Sequence, residues 1–121
     1  MAQVAIVVDD SMLIRHTVCR FLEQRGFAVE SASNGMEALQ MLEQVRADLI
    51  VTDLVMPKMT GRELITALRN NPVTAAIPIV VLAGRSSRAE VASETRADYV
   101  IFKDIDIVEQ LERALGRAFA N

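Results

Sequence analysis

Continuous apolar runs alternate along this chain with stretches where apolar residues recur every three or four positions. Val4–Val8 is an unbroken apolar run, the pattern of a strand buried on both faces. Residues 11–25 follow with Met12, Ile14, Val18, Phe21 and Leu22 at helical spacing, and Gly26 is placed to stop that helix. Phe27–Ala32 reads as a short strand. Asn34 and Glu37 have capping-box spacing and open a helix through "NGMEALQMLEQV", with Ala38, Leu39 and Leu42 as its apolar stripe. Asp48 leads into a buried strand, Leu49–Thr52, which runs into Asp53. A loop broken by Pro57 and Gly61 precedes a helix over Arg62–Arg69, closed by Asn70-Asn71-Pro72. Ile79–Leu82 is the fourth strand. Ser87 and Glu90 open a fourth helix to about Arg96, and Tyr99–Phe102 is the fifth strand. Asp106 and Glu109 cap a last helix with Ile107, Val108, Leu111, Ala114 and Leu115 on its apolar side.

Five strand–helix units in strict alternation predict an α/β fold, with a parallel sheet covered by helices on both faces. The 121 residues suit one domain, 1–121, large enough for a real core. No internal repeat or low-complexity segment divides it.

Composition narrows the function classes. Half the residues are hydrophobic and 24% are charged, as in a soluble globular protein. The net charge of −3 leaves no chain-wide basic footprint, so direct nucleic-acid binding is not expected. No apolar run approaches the roughly 18 residues that span a bilayer, and "MAQVAIVVDD" has no basic signal-peptide start. The expected location is the cytoplasm, with no membrane contact. A single cysteine, Cys19, excludes an internal disulfide.

In parallel sheets, ligands bind beyond the carboxyl ends of the strands, near a reversal of strand order. Those ends carry Asp9 and Asp10 after the first strand, Asp53 after the third, Ala83-Gly84 after the fourth and Lys103 after the fifth. Three carboxylates on neighbouring ends repel, each close pair by about 4 kcal/mol at an effective dielectric near 20. Such a cluster suits a divalent cation, and an all-oxygen donor set suits Mg²⁺. Magnesium, an ionised aspartate and a nearby lysine together make a phosphoryl-transfer site. Taken singly each acid has a plainer reading, and Asp10 before "SMLIR" could be only an N-cap. Together, at one edge of one sheet, they point to a site.

The stretches "VVDDS", "VTDLVMPKMTG" and "IFKD" on five strand–helix repeats resemble the receiver domain of two-component response regulators. The resemblance covers essentially the whole chain, and the D-x-x-M-P-x-M-x-G pattern at 53–61 is its most specific part. It implies a flavodoxin-like fold with strand order 2-1-3-4-5. It also implies Mg²⁺-dependent transfer of phosphate from a phosphohistidine of a sensor kinase or phosphotransfer protein to Asp53. By the same resemblance Asp10, Asp53 and the Val55 carbonyl are metal ligands, with Asp9 assisting directly or through water, and Lys103 pairs with a phosphoryl oxygen. An effector would dock on the face of the fourth helix, fifth strand and fifth helix. The activity is signalling, with no chemistry beyond the chain's own phosphorylation and dephosphorylation.

The chain departs from the receiver pattern where phosphate is reported to the rest of the fold. Receivers usually carry Thr or Ser where Ala83 stands, an aromatic where Val100 stands, Pro after the lysine where Asp104 stands, and Gly where Arg96 stands. Ala83 and Gly84 then wall a phosphate pocket without supplying a hydroxyl. Tyr99, one place early, is expected on the opposite face of its strand. The Lys103–Asp104 bond is expected to be trans, because a cis non-prolyl bond costs about 2.5–4 kcal/mol. Ser86 or Ser87 could supply a hydroxyl, although Ser87 reads more simply as a cap and Ser86 as solvent-facing. Arg85 could reach phosphate or lie exposed.

Other functions compete. One is a receiver-like interaction module that works without phosphate. Another is a small aspartyl-phosphate phosphatase, for which the adjacent acids of "VDDSM" are wrong, since those enzymes show D-x-D. A dinucleotide-binding domain is excluded by the lack of a Gly-rich first turn. His16 reads as a surface residue, Cys19 as a small buried apolar one, and the six methionines as core and loop filler.

Overall fold

The computed structural model describes residues 2–84, 97–103 and 106–119. The expected fourth helix, with Arg85, Ser86, Ser87 and Arg96, and the Lys103–Asp104 bond lie outside the described residues. The strands are β1 (Val4–Val8), β2 (Ala28–Ala32), β3 (Leu49–Asp53), β4 (Ile79–Ala83) and β5 (Tyr99–Phe102). All pair in parallel, in the order β2-β1-β3-β4-β5. This is the expected flavodoxin-like sheet. The helices described are α1 (Met12–Gln24), α2 (Gly35–Leu42), α3 (Gly61–Arg69) and a C-terminal helix (Ile107–Ala118). None is long and apolar enough to cross a membrane.

The unbroken apolar character of β1, β3 and β4 follows from burial on both sides. Alternate residues face opposite ways, so Ile6, Val8, Ile50, Ile79 and Val81 pack with Leu64, Ile65 and Leu68 of α3 and Ala38 of α2. Ala5, Val7, Leu49, Val51, Val80 and Leu82 pack with Val18, Phe21 and Leu22 of α1 and with Leu111 and Ala114 of the C-terminal helix. Each large side chain so buried contributes about 1.5–3 kcal/mol of transfer free energy. That two-sided core fixes the sheet on which the site stands.

Several boundaries and faces differ from expectation. Met12 opens α1 but is 75% exposed, and Val108 is 44% exposed, so neither belongs to its helix's buried face. In those first turns Ile14 and Ile107 take the places against the core, and Met12 and Val108 turn to solvent beside them. Cys19 is half-buried rather than buried, and burial pushes its thiol up from its ordinary value. Phe27 precedes β2: its N–H bonds to the Leu22 carbonyl while Gly26 N–H bonds to Glu23. With Gly26 at φ +90°, these bonds form the left-handed cap expected of that glycine. α2 stops at Leu42, because the chain must turn to let Asp48 exchange two hydrogen bonds with Val4, at 2.7 and 2.8 Å.

Candidate functional site

β1 and β3 are neighbours although β2 separates them in sequence, so the winding reverses at their carboxyl ends. There Asp9, Asp10 and Asp53 each offer a carboxylate oxygen, all within 4.8 Å of one another. Asp9 is fully buried, Asp53 is 5% exposed, and Asp10 faces solvent. Lys103, just past β5, reaches across with Nζ 2.8 Å from Asp9 Oδ2 and 3.0 Å from Asp53 Oδ2. The backbone delivers it: Lys103 N–H extends the β4–β5 ladder by donating to the Ala83 carbonyl at 2.8 Å.

Local hydrogen bonds hold each acid. Asp9 Oδ1 accepts from Ser11 N–H at 2.8 Å, and the Arg15 guanidinium donates to the Asp9 carbonyl at 2.8 Å. The α1 N-cap is therefore Ser11, whose hydroxyl accepts from Ile14 N–H, and Asp10 is free of the capping role. Asp53 Oδ1 accepts from Leu54 N–H at 2.7 Å and Val55 N–H at 3.4 Å. Val55 itself is half exposed. Sequence reasoning missed the support from Ser11 and Arg15, whose only sequence signal is their nearness to Asp9.

The charges do not balance locally. Burial pushes the Asp53 carboxyl above its ordinary value and the Asp9 charge adds to this, while Lys103 and the loop amides oppose it. For Lys103, burial is the largest single influence and favours the neutral amine. The two carboxylates together outweigh it, and the net direction is upward. Asp9 Oδ2 is buried without a hydrogen bond of good geometry, compensated by the ionic contact with Lys103. A buried, under-satisfied carboxylate oxygen beside an exposed carboxylate and a third one is a hard, all-oxygen donor set. These residues fit a small divalent cation.

The loop after Asp53 is tightly built. Gly61 N–H donates to the Leu54 carbonyl at 2.8 Å, and a Cβ on Gly61 would lie 2.7 Å from Leu54 Cα. Thr60 and Glu63 form a full capping box, so α3 starts one residue earlier than expected; the Thr-x-x-Glu spacing is the sequence signal that was missed. Lys58 has φ +67°, and Met59 N–H bonds back to the Pro57 carbonyl at 2.7 Å. That is a three-residue turn of the strained kind, costing about 1–3 kcal/mol.

At the fourth strand end Ala83 is fully buried and Gly84 half-buried. Val100 packs toward α2 and α3, whereas Tyr99 packs toward α1 and the C-terminal helix. The two residues thus point to opposite faces. His16 is exposed on α1.

Residues 5–115 match the model of the response regulator receiver domain. Response regulator MprA of Mycobacterium ulcerans is 36% identical over 110 residues, covering 89% of this chain and 47% of that protein. The chain spans about half the length of the curated relatives it matches. Among solved structures, the chemotaxis response regulator CheY4 of Vibrio cholerae aligns with TM-score 0.85 at 31% identity, over 98% of this chain and all of the other. The receiver domain of the sensor histidine kinase PA1611 of Pseudomonas aeruginosa, solved with magnesium in its active-site cleft, aligns with TM-score 0.86 over the full length of both. At 19% identity that likeness speaks to the fold alone. Family match, sheet order and site position agree, and the chain belongs to the response regulator receiver domain family.

Proposed function

We propose that residues 1–121 act as one phospho-acceptor unit of a two-component relay, with Asp53 as the acceptor and Mg²⁺ as the cofactor. The observation that carries this reading is the convergence of Asp9, Asp10 and Asp53 with Lys103 at the reversal of strand order. Asp10, Asp53 and the Val55 carbonyl would hold the metal, with Asp9 assisting directly or through water. Bound there, Mg²⁺ supplies positive charge to the phosphoryl oxygens. An Asp53 carboxylate oxygen attacks phosphorus, the phosphorus–nitrogen bond of the donor phosphohistidine breaks, and the imidazole leaves with the electron pair and takes up a proton. Lys103 moves from its carboxylate partners to a phosphoryl oxygen, balancing the added charge. Ala83 and Gly84 wall the pocket.

The partners are a sensor histidine kinase or phosphotransfer protein and an effector, with no direct nucleic-acid contact by this chain, and the setting is cytoplasmic. Beyond its own phosphorylation and dephosphorylation, the unit catalyses nothing. Because Ala83 brings no hydroxyl and Val100 no ring, phosphate at Asp53 is reported to the fifth strand differently from the usual receiver. Incubation with Mg²⁺ and a small acyl phosphate tests the reading by mass spectrometry. A phosphoryl adduct mapped to Asp53 and lost in Asp53→Asn is expected. No adduct under conditions that label an ordinary receiver points instead to a module acting without phosphate.

A further inference from the structure

The loop that follows Asp53 is gripped from outside by α2. A Cβ built on Gly35, the first residue of α2, would lie 2.9 Å from Met59 Cγ and 3.0 Å from both Met59 Cβ and Sδ. A new rotamer can move Cγ and Sδ. It cannot move Met59 Cβ, whose place is set by the loop backbone. Met59 follows directly on the strained turn at Lys58 and precedes Thr60, the α3 cap. The helix end that meets it is equally fixed: Asn34, next to Gly35, is 5% exposed and caps α2 by accepting from Glu37 N–H at 3.0 Å. At the far end Gly61 rests on the Asp53–Leu54 backbone. The six residues from Val55 to Thr60 are therefore closed off by the Gly61–Leu54 contact and touched by Gly35 at Met59.

Gly35 is not needed for its conformational freedom, because its φ is not in the left-handed region where glycine is favoured. In an open helix position, alanine would be preferred by propensity. The missing side chain serves close approach.

We infer that Gly35 and Met59 are positioning residues: the Met59 side chain, seated on the bare Gly35 backbone, sets the loop that carries Val55 and thereby the geometry of the acceptor site. The inference rests on the proposed role of Asp53. Any side chain at Gly35 pushes the loop by a few tenths of an ångström, and small displacements of reacting groups have large effects on rate.

Four proteins test this: wild type, Gly35→Ala, Gly35→Ala with Met59→Ala, and Gly116→Ala. Gly116 is a control because a Cβ there meets nothing within 4 Å. Each is examined by thermal melting, by Mg²⁺ titration calorimetry, by amide chemical shifts of residues 54–61, and by the rate of labelling with an acyl phosphate. Gly35→Ala is expected to stay folded, shift the loop amides, weaken Mg²⁺ binding several-fold and slow labelling about tenfold. The double variant keeps Met59 Cβ, the atom no rotamer can move, and loses the side chain that seats the loop, so it recovers neither loss. Gly116→Ala changes neither. Unchanged Mg²⁺ affinity and labelling in Gly35→Ala overturn the inference, as does full recovery in the double variant, which would make the Met59 side chain an obstacle and not a seat. If wild type takes up no phosphate, the parent reading falls, and the Mg²⁺ titration and loop shifts still decide whether Gly35 sets the loop.

Discussion

Lys103 Nζ stands 2.8 Å from a fully buried oxygen of Asp9 and is the cation that compensates it. Removing the ammonium, as in Lys103→Met, leaves a buried carboxylate without its counter-charge. Breaking such a pair is costly, and with Lys103 partly exposed we expect a loss of about 2 kcal/mol. Urea denaturation at neutral pH measures it. Added Mg²⁺ should restore part of the loss, because it offers the acids another cation. Equal stability of variant and wild type in metal-free buffer would contradict the account.

Asp53 titrates above its ordinary value, mainly because of burial. A raised carboxyl pKa contributes stability below the unfolded value, near 4, and loses it as pH rises through the folded value. At neutral pH without metal, the charged Asp53 is therefore a burden. Asp53→Asn should melt higher than wild type at pH 7, and the gap should close on acidification toward pH 4. A variant melting lower than wild type at pH 7 refutes the assignment.

Mg²⁺ should stabilise the folded chain by mass action. At ten times its dissociation constant the gain is about 1.4 kcal/mol, read as a rise in melting temperature reversed by a chelator. Asp10→Asn removes an exposed carboxylate from the cluster, and the rise should shrink strongly. An undiminished rise places the cation elsewhere.

Gly61 and Gly26 are needed for different reasons, and their alanine variants should separate them. At Gly61 a Cβ meets the Leu54 and Asp53 backbone, so Gly61→Ala should cost about 3 kcal/mol, the upper end for overpacking. At Gly26 the space is open and only the positive φ resists, so Gly26→Ala should cost about 1 kcal/mol. Chemical denaturation of both ranks them, and reversal of the order shows the close approach to be relieved elsewhere.

The reporting of phosphate is tested by restoring a hydroxyl. Amide exchange over residues 97–108 is compared with and without a phosphate mimic, in wild type and Ala83→Thr. A larger response in Ala83→Thr is expected. An equal response in wild type shows that its coupling needs no hydroxyl at this position.

The strands were legible because β1, β3 and β4 are buried on both faces, which leaves unbroken apolar runs. The ends of β1 and β3 were legible for the same reason, since Asp9 closes the first run and Asp53 the third. Met12 and Val108 were misplaced because spacing alone does not say which apolar residue of a first turn faces the core. Met59 stands in the D-x-x-M-P-x-M-x-G pattern, but its pairing with Gly35 gave no signal, since nothing in either residue's neighbourhood names a partner 24 positions away.

The sequence by itself determined the alternation of strands and helices, the parallel sheet and the acids at its carboxyl edge. These follow from local propensity and burial, which each segment carries alone. Only the tertiary structure decided that Asp9 is buried and Asp10 exposed, that Lys103 bridges Asp9 and Asp53, and that the loop after Asp53 meets bare backbone at Gly35 and Gly61. Those relations join elements far apart in the chain, and their distances come from packing the helices on the sheet.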